Sequence, residues 1–208
     1  MIGIINALRK KRAIFHSEAD FQFSLAWEIQ LRYPDAAIRL EYPPLDDPTK
    51  YIDVLVYLGT HVFPIELKYK TKLHSSVVGG ESYLLKNHGA QDIGKHDFVK
   101  DFYRIENFRD HIVGFQKGYA IWLTNDPHYW AIPKSDTAGS SAFSVHHGSI
   151  KSGTMAWGPS VGDGTRKSRE NPLNLSGCYQ LDWQEYSTIE AKNGIFKYAV
   201  TILGAPTP

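Results

Sequence analysis

The chain has 208 residues, of which 42% are hydrophobic and 22% charged, and these proportions exclude a disordered, collagen-like or coiled-coil protein. This length is typical of one domain, so residues 1–208 are expected to form a single domain. The 23 lysines and arginines almost balance the 22 acidic residues. This balance excludes nucleic-acid binding through bulk positive charge and requires a local basic face instead.

Three sequence features indicate the cellular compartment of the protein. Cys178 is the only cysteine, so no intrachain disulfide forms and a reducing compartment is favoured. No apolar run approaches the ~18 residues of a membrane-spanning helix. The N-terminal segment places its apolar residues before its basic ones, the reverse of a secretory signal. We therefore expect a cytoplasmic protein without membrane contact.

A helix is predicted over residues 17–33. Ser17, with Asp20 three residues later, resembles a capping box, and Pro34 ends the pattern. Glu18 lies in the first turn, where the helix dipole favours a carboxylate. Apolar residues recur every four positions and others widen the apolar face: Phe21, Leu25 and Ile29, with Phe23, Trp27 and Leu31.

The next segments predict a strand, a turn and a hairpin. Residues 37–42 are predicted as a short strand, followed by a turn rich in proline and aspartate at 43–48. Residues 51–58 are nearly all β-formers, and residues 62–69 alternate in polarity. Gly59 and Thr60 between them predict a two-residue hairpin loop, with glycine first as a type II′ turn requires.

Helix and strand signals continue after a segment at 73–88 that lacks periodicity and is predicted to be a loop or lid. A second helix is predicted to open at Gln91 and Asp92, and strands are predicted at 118–124, 178–183 and 196–203. Cys178 is predicted to be a core residue. The apolar face of the second helix consists of Phe98, Phe102 and Ile105. Its polar face consists of Asp97, Asp101 and Arg104.

Residues 135–177 are rich in glycine and serine and are predicted to form an irregular segment that crosses the surface. Three apolar side chains are expected to anchor this segment: Phe143, Met155 and Trp157. Its tip at 162–169 is expected to be mobile. The tip carries three cations that are candidate contacts for DNA phosphates: Arg166, Lys167 and Arg169.

Three charged residues meet on the predicted hairpin. With Gly59 and Thr60 as the loop, Asp53 lies directly opposite Glu66, and Lys68 shares the face of Glu66. Two neighbouring carboxylates in apolar strands are unfavourable unless a cation lies between them. Mg²⁺ binds carboxylate oxygens and promotes phosphodiester hydrolysis, so the hairpin is a candidate metal site.

The arrangement of Asp53, Glu66 and Lys68 on adjoining strands resembles the PD-(D/E)xK nuclease superfamily, which includes many restriction endonucleases and Holliday-junction resolvases. The resemblance covers residues 17–124 and leaves the remaining C-terminal part unexplained. Ile52 stands where the superfamily often has proline before the aspartate. Pro64 removes one ladder donor and indicates a bulge or an edge near Glu66.

The resemblance implies an α/β fold of the restriction-endonuclease-like class, in which helices flank a central mixed β-sheet. It implies a Mg²⁺-dependent endonuclease that hydrolyses DNA phosphodiester bonds and accepts Mn²⁺ as a substitute. Asp53 and Glu66 are then the metal ligands, Lys68 the catalytic cation and Glu18 an accessory ligand. Gln91 corresponds to a helix glutamine that joins the site in some branches of the superfamily.

Two alternatives stay open on the sequence alone. The charges of the hairpin are also those of a cross-strand ion pair without function on a half-exposed sheet. A non-catalytic module that keeps the nuclease fold and binds nucleic acid or joins a complex is the other alternative. The sequence leaves open the choice of DNA or RNA, endo- or exonuclease action, and the formation of a homodimer.

Overall fold

The structure is a computed structural model that describes residues 1–43, 51–133 and 139–204. No helix in these three ranges is both long and apolar enough to cross a membrane. The helices are α1 (Ile2–Lys11), α2 (Glu18–Arg32), α3 (Gln91–Arg109), α4 (Pro127–Trp130) and α5 (Asp163–Arg166). The strands are β1 (Ala37–Tyr42), β2 (Ile52–Leu58), β3 (His61–Lys70), β4 (His74–Val78), β5 (Glu81–Leu85), β6 (Lys117–Thr124), β7 (Ile150–Met155), β8 (Leu173–Gln180), β9 (Trp183–Thr188) and β10 (Ile195–Gly204).

Six strands form a central mixed sheet in the order β1-β2-β3-β6-β10-β9. The β3–β6 pair is parallel and the other neighbours are antiparallel. Helices α1 and α2 cover one face, where one apolar core forms, and α3 covers the other face with two further apolar clusters. The predicted α/β architecture with a mixed sheet flanked by helices is therefore confirmed.

Helix α2 forms as its sequence predicts. The Ser17 hydroxyl accepts the Asp20 backbone N–H at 3.1 Å and caps the first turn. Phe21, Leu25 and Ile29 are buried against the sheet. The second apolar set does not widen this buried face, because the helical rotation of 100° per residue turns it away from the sheet. Its members are exposed, at 60% for Phe23, 58% for Trp27 and 53% for Leu31.

The β2–β3 hairpin has the predicted register. Leu58 pairs with His61, and the ladder continues to the Val54–Ile65 pair. Gly59 has a φ of +60°, as the first position of a type II′ turn requires, while the φ of Thr60 is not positive. Strand β3 continues to Lys70, so its second half extends beyond the part that pairs with β2.

Three predictions of secondary structure are wrong. Residues 73–88 contain the β4–β5 hairpin, closed by Gly79 and Gly80 at φ values of +60° and +84°. The 135–177 segment contains β7, α5 and most of β8, although its three predicted anchors do pack on the core around α3. The predicted strand at 178–183 is split between β8 and β9. Helix α1 was not predicted, and positions 44–48 of the predicted turn lie outside the described residues.

Cys178 is exposed, contrary to its prediction as a core residue. It lies on the outer face of β8, whose Leu173, Leu175 and Tyr179 side chains are buried instead. The β7–β8 register shifts between Ser152 and Gly153, and this bulge accommodates two extra residues of β8 before Cys178.

Glu106 of α3 binds the bulge in β8. Its buried carboxylate accepts the backbone N–H groups of Ser176 and Gly177, each at 2.8 Å, and the Tyr179 hydroxyl at 2.5 Å. The bulge leaves these two N–H groups without ladder partners, so the carboxylate replaces the missing strand acceptors.

We expect Glu106→Ala to lower the free energy of unfolding by about 3 kcal/mol, because it leaves buried donors without an acceptor. Urea denaturation measures this change. Glu190→Ala, at an exposed glutamate, is the matched control and should change stability by less than about 0.5 kcal/mol. Equal stability of the two variants would show that the bulge does not depend on Glu106.

Candidate active site

The candidate site lies where β2 and β3 diverge. Beyond the Val54–Ile65 pair, the edge of β3 presents backbone N–H groups that have no ladder partner on β2. The Asp53 carboxylate accepts the N–H of Leu67 at 2.5 Å, and the Glu18 carboxylate accepts the N–H of Tyr69 at 2.6 Å. The two N–H groups are two residues apart on one strand edge and therefore ~7 Å from each other, which brings the two carboxylates close together.

Glu66 and Lys68 project from β3 toward α3. Alternation along the strand places Ile65, Leu67 and Tyr69 in the core under α1 and α2, and it places Glu66 and Lys68 on the opposite face. There the Arg104 guanidinium lies 3.1 Å from Glu66 Oε1, and Lys68 Nζ lies 2.6 Å from Asp101 Oδ2. A buried ion pair therefore fixes each of the two charges.

The structure brings together the four main predicted site residues, although not in the predicted pairing. Regular pairing stops one position before the expected Asp53–Glu66 pair. Asp53 turns its carboxylate into the edge of β3, where it accepts the Leu67 N–H. Its charge remains within electrostatic range of Lys68, Asp101 and Glu18.

Helix α2 also orders the backbone at Asp53. Gln22, one turn after Glu18, donates its side-chain amide to the Asp53 carbonyl at 2.6 Å and to Glu41 Oε1 at 2.7 Å. Glu41 has a φ of +50°, and the β1–β2 pairing skips this position. A non-glycine residue in the left-handed region costs free energy, and such residues concentrate at functional sites. One turn of α2 thus reaches both strands that border the site.

Carboxylates outnumber cations in the site, because four carboxyl groups lie near two cations. Burial raises the pKa of Asp53 to about 6, against the opposing effects of the Lys68 charge and the Leu67 N–H. Burial also raises the pKa of Glu66 well above its usual value, helped by the charges of Asp101 and Asp53. Such perturbed carboxylates are typical of functional sites.

Lys68 is held as an ammonium ion. Burial alone would lower its pKa, but the charges of Asp101, Asp53 and Glu66 outweigh burial and raise it. Burial raises the pKa of Asp101, and the Lys68 charge opposes this rise. The side chains of Lys68 and Asp101 are only 15% and 4% exposed, so their ion pair is screened little by solvent.

The oxygen donors of the site suit a hard cation, although they do not converge on one point. Within residues 1–43, 51–133 and 139–204, no group of three or more acidic, histidine or cysteine side chains is arranged to hold a metal ion. Asp53 and Glu18 each use one carboxylate oxygen for a backbone N–H and keep a second oxygen. Glu66 faces Arg104 instead. Carboxylate oxygens are the ligands that Mg²⁺ prefers.

Asp101 and Arg104 of α3 were not predicted as site residues. The sequence places them on a polar face of the helix, but only the packing of α3 on the sheet turns that face toward β3. Both lie within one turn of buried apolar residues, Phe98, Phe102 and Ile105, and Asp101 is itself buried. Charged residues are seldom buried, so charged residues within one turn of the apolar residues of a helix are the signal that could have identified Asp101 and Arg104.

Gln91 lies apart from the other predicted site residues. Its side-chain amide donates to Asp126 Oδ2 at 3.1 Å, at the N-terminal end of α3. Ten residues of helix separate it from Asp101, which corresponds to ~15 Å along the axis.

The basic tip of the 162–169 region docks along α3. Arg169 Nε lies 3.3 Å from Asp97 Oδ1, and the Thr165 hydroxyl donates to Asp92 Oδ2 at 3.1 Å. The Arg166 guanidinium donates to the carbonyl of Gly158. Lys167 is exposed. Because Asp97 lies one turn before Asp101, the tip runs close to the candidate site.

Comparisons of the chain with models of protein families, with curated proteins and with solved structures found no match.

The burial of Asp53 should make the stability of the metal-free protein depend on pH. Its pKa rises from 3.8 to about 6 on folding, so the folded state binds more protons and stability falls as pH rises from about 4 to about 6. Asp53→Asn keeps an oxygen for the Leu67 N–H but removes the charge. We expect it to be about 1–3 kcal/mol more stable than wild type at pH 8 and equal to it near pH 4.

Urea denaturation at the two pH values measures the effect of Asp53→Asn. Asp182→Asn, at an exposed aspartate, is the control and should show no gain at either pH. A loss of stability for Asp53→Asn at pH 8 would mean that the ionised carboxylate is favourable in the site.

Proposed function

We propose that the chain is a metal-dependent nuclease of the restriction-endonuclease-like class that hydrolyses DNA phosphodiester bonds. One observation carries the proposal: Asp53, Glu66, Lys68 and Glu18 lie near one another where β2 and β3 diverge, in a site with a surplus of carboxylates over cations. A surplus of this kind is unfavourable without a cation, and a divalent ion would compensate it.

Asp53 and Glu66 are the proposed Mg²⁺ ligands, and Glu18 is the accessory ligand. A bound Mg²⁺ supplies a Lewis acid and an activated water for phosphodiester hydrolysis. Asp53 and Glu18 offer the carboxylate oxygens that the β3 backbone leaves unused. Glu66 would join them if a bound ion took the place of the Arg104 guanidinium.

Lys68 is the proposed catalytic cation. Its ammonium group is kept charged by Asp101, so it can stabilise the negative charge that develops on the phosphate in the transition state. Asp101 touches neither substrate nor metal in this proposal. It acts as a positioning residue that fixes the Lys68 ammonium.

A second candidate function is a non-catalytic module that binds nucleic acid or joins a complex. The observation that favours it is that α3 already neutralises two of the three hairpin charges, through the Glu66–Arg104 and Lys68–Asp101 pairs. Such a module needs no metal ion at the carboxylates, which distinguishes it from the nuclease.

We expect the wild-type protein to cleave plasmid DNA with Mg²⁺ or Mn²⁺, and Asp53→Ala and Lys68→Ala to lower the rate by about 10²-fold or more. Lys86→Ala and Asp182→Ala, at exposed positions, are the matched controls and should cleave like wild type. Calorimetric titration with Mn²⁺ accompanies the assay, and Asp53→Ala should abolish the binding. Cleavage that survives both site variants would refute the site, and absence of Mn²⁺ binding would favour the module.

Lys167 is the tip cation best placed to contact DNA, because Arg166 and Arg169 are bound to the protein itself. We expect Lys167→Glu to weaken DNA binding and to reduce the slope of log affinity against log salt by about 0.9 for the lost phosphate contact. Fluorescence anisotropy at several salt concentrations measures the slope. Thermal stability should not change, and an unchanged slope would place the tip outside the DNA interface.

A further inference from the structure

The outward face of α2 is apolar along its whole length. Buried residues of α2 face the sheet and α1, and the opposite side presents one stripe at four-residue spacing: Ala19, Phe23, Trp27 and Leu31. The rings of Phe23 and Trp27 stack at 6.4 Å, so the two aromatic groups form one flat surface. A helix at the surface of a globular protein normally presents polar residues on this side.

No member of the stripe is charged. The neighbouring carboxylates of Asp20 and Glu28 already form ion pairs, with Arg12 at 2.8 Å and with Lys11 at 2.6 Å. Ser24 and Gln30, both half-buried, are the polar residues on its flanks. The centre of this surface therefore offers no charged group with which a charged partner could form an ion pair. An uncharged apolar surface is complementary to another of the same kind.

The exposed area is large enough to matter for association. Phe23, Trp27 and Leu31 are 60%, 58% and 53% exposed, which corresponds to about 350 Å² of apolar surface per chain. Two chains together contribute about 700 Å². A standard interface buries about 1,600 Å², of which about 900 Å² is non-polar. The stripe alone therefore supplies most of the apolar area of a stable dimer.

The positions along the stripe are symmetric about Trp27. In two antiparallel helices related by a two-fold axis at this residue, Phe23 faces Leu31 of the other copy, since both lie four residues from Trp27. Ser24 and Gln30 lie three residues from Trp27 on opposite flanks of the stripe, and the two-fold axis keeps each of them on the same flank as its own counterpart. The large aromatic side chain meets the smaller aliphatic one, as packing between helices requires.

We propose that a second copy of this chain covers the stripe, with α2 packed antiparallel to its counterpart around a two-fold axis at Trp27. The proposal concerns the surface opposite the sheet and does not depend on the nuclease assignment. The resulting interface is isologous and closed, so it gives a dimer and not a filament.

Sedimentation equilibrium of the full chain tests the proposal. We expect the wild type to sediment at twice the mass of one chain, and Trp27→Asp or Leu31→Glu to raise the dissociation constant at least about 100-fold. Both side chains are more than half exposed in one chain, so the variants should keep the wild-type circular-dichroism spectrum, although loss of the dimer lowers their melting temperature. Val113→Asp, at a residue that is 95% exposed outside the stripe, is the control and should stay dimeric.

Chemical cross-linking tests the orientation. In a Cys178→Ser background, chains with Phe23→Cys are mixed with chains with Leu31→Cys and treated with a short bismaleimide. The mixture should cross-link much faster than either variant alone, because Phe23 of one chain faces Leu31 of the other across the axis. A monomeric wild type would overturn the proposal and leave another protein or a membrane as the occupant. A dimer unaffected by Trp27→Asp would overturn it as well.

Discussion

The architecture of the site depends on one local fact, which is that the β2–β3 ladder stops at Val54 and Ile65 while β3 continues. Backbone N–H groups beyond this point must find acceptors, because an unpaired buried donor is costly. The acceptors are the carboxylates of Asp53 and Glu18. The hydrogen-bonding requirement of a strand edge thus collects acidic side chains beside Glu66, which already occupies the same strand.

Helix α3 holds the site together from the opposite side. Its Asp101 and Arg104 side chains, one turn apart, bind Lys68 and Glu66, so the charges on helix and strand alternate in sign. Burying any one of these groups without its partner would be strongly unfavourable. The same helix binds the β8 bulge through Glu106. Position and charge in the site therefore depend on a single helix that binds both the central sheet and β8.

Local sequence signals predict the parts of this fold that are formed by local interactions. The capping serine, the four-residue period of α2 and the Gly59-Thr60 turn define α2 and the hairpin, and these place the Asp53 and Glu66 backbones correctly. The β4–β5 pair escaped prediction because its strands have only five residues each and meet at two glycines. The β7–β8 pair escaped because its glycines, which mark a bulge, resemble a loop in the sequence. Asp101 and Arg104 escaped because their role depends on which face of α3 meets the sheet. The four-residue period of α2 likewise predicts two sets of apolar residues, but it does not show which set packs on the sheet and which forms the exposed stripe.

The ion pair between Arg169 and Asp97 connects the tip to the site through one turn of α3. Arg169 and His96 lower the pKa of Asp97 against the effect of burial, and the charge of Asp97 in turn raises the pKa of Asp101. Any ligand that draws Arg169 away from Asp97 therefore alters the electrostatic environment of the Lys68–Asp101 pair. Free-energy coupling between two sites is equal in both directions. A change in the charge of the site consequently alters how firmly the tip is held, so the two surfaces form one thermodynamic unit.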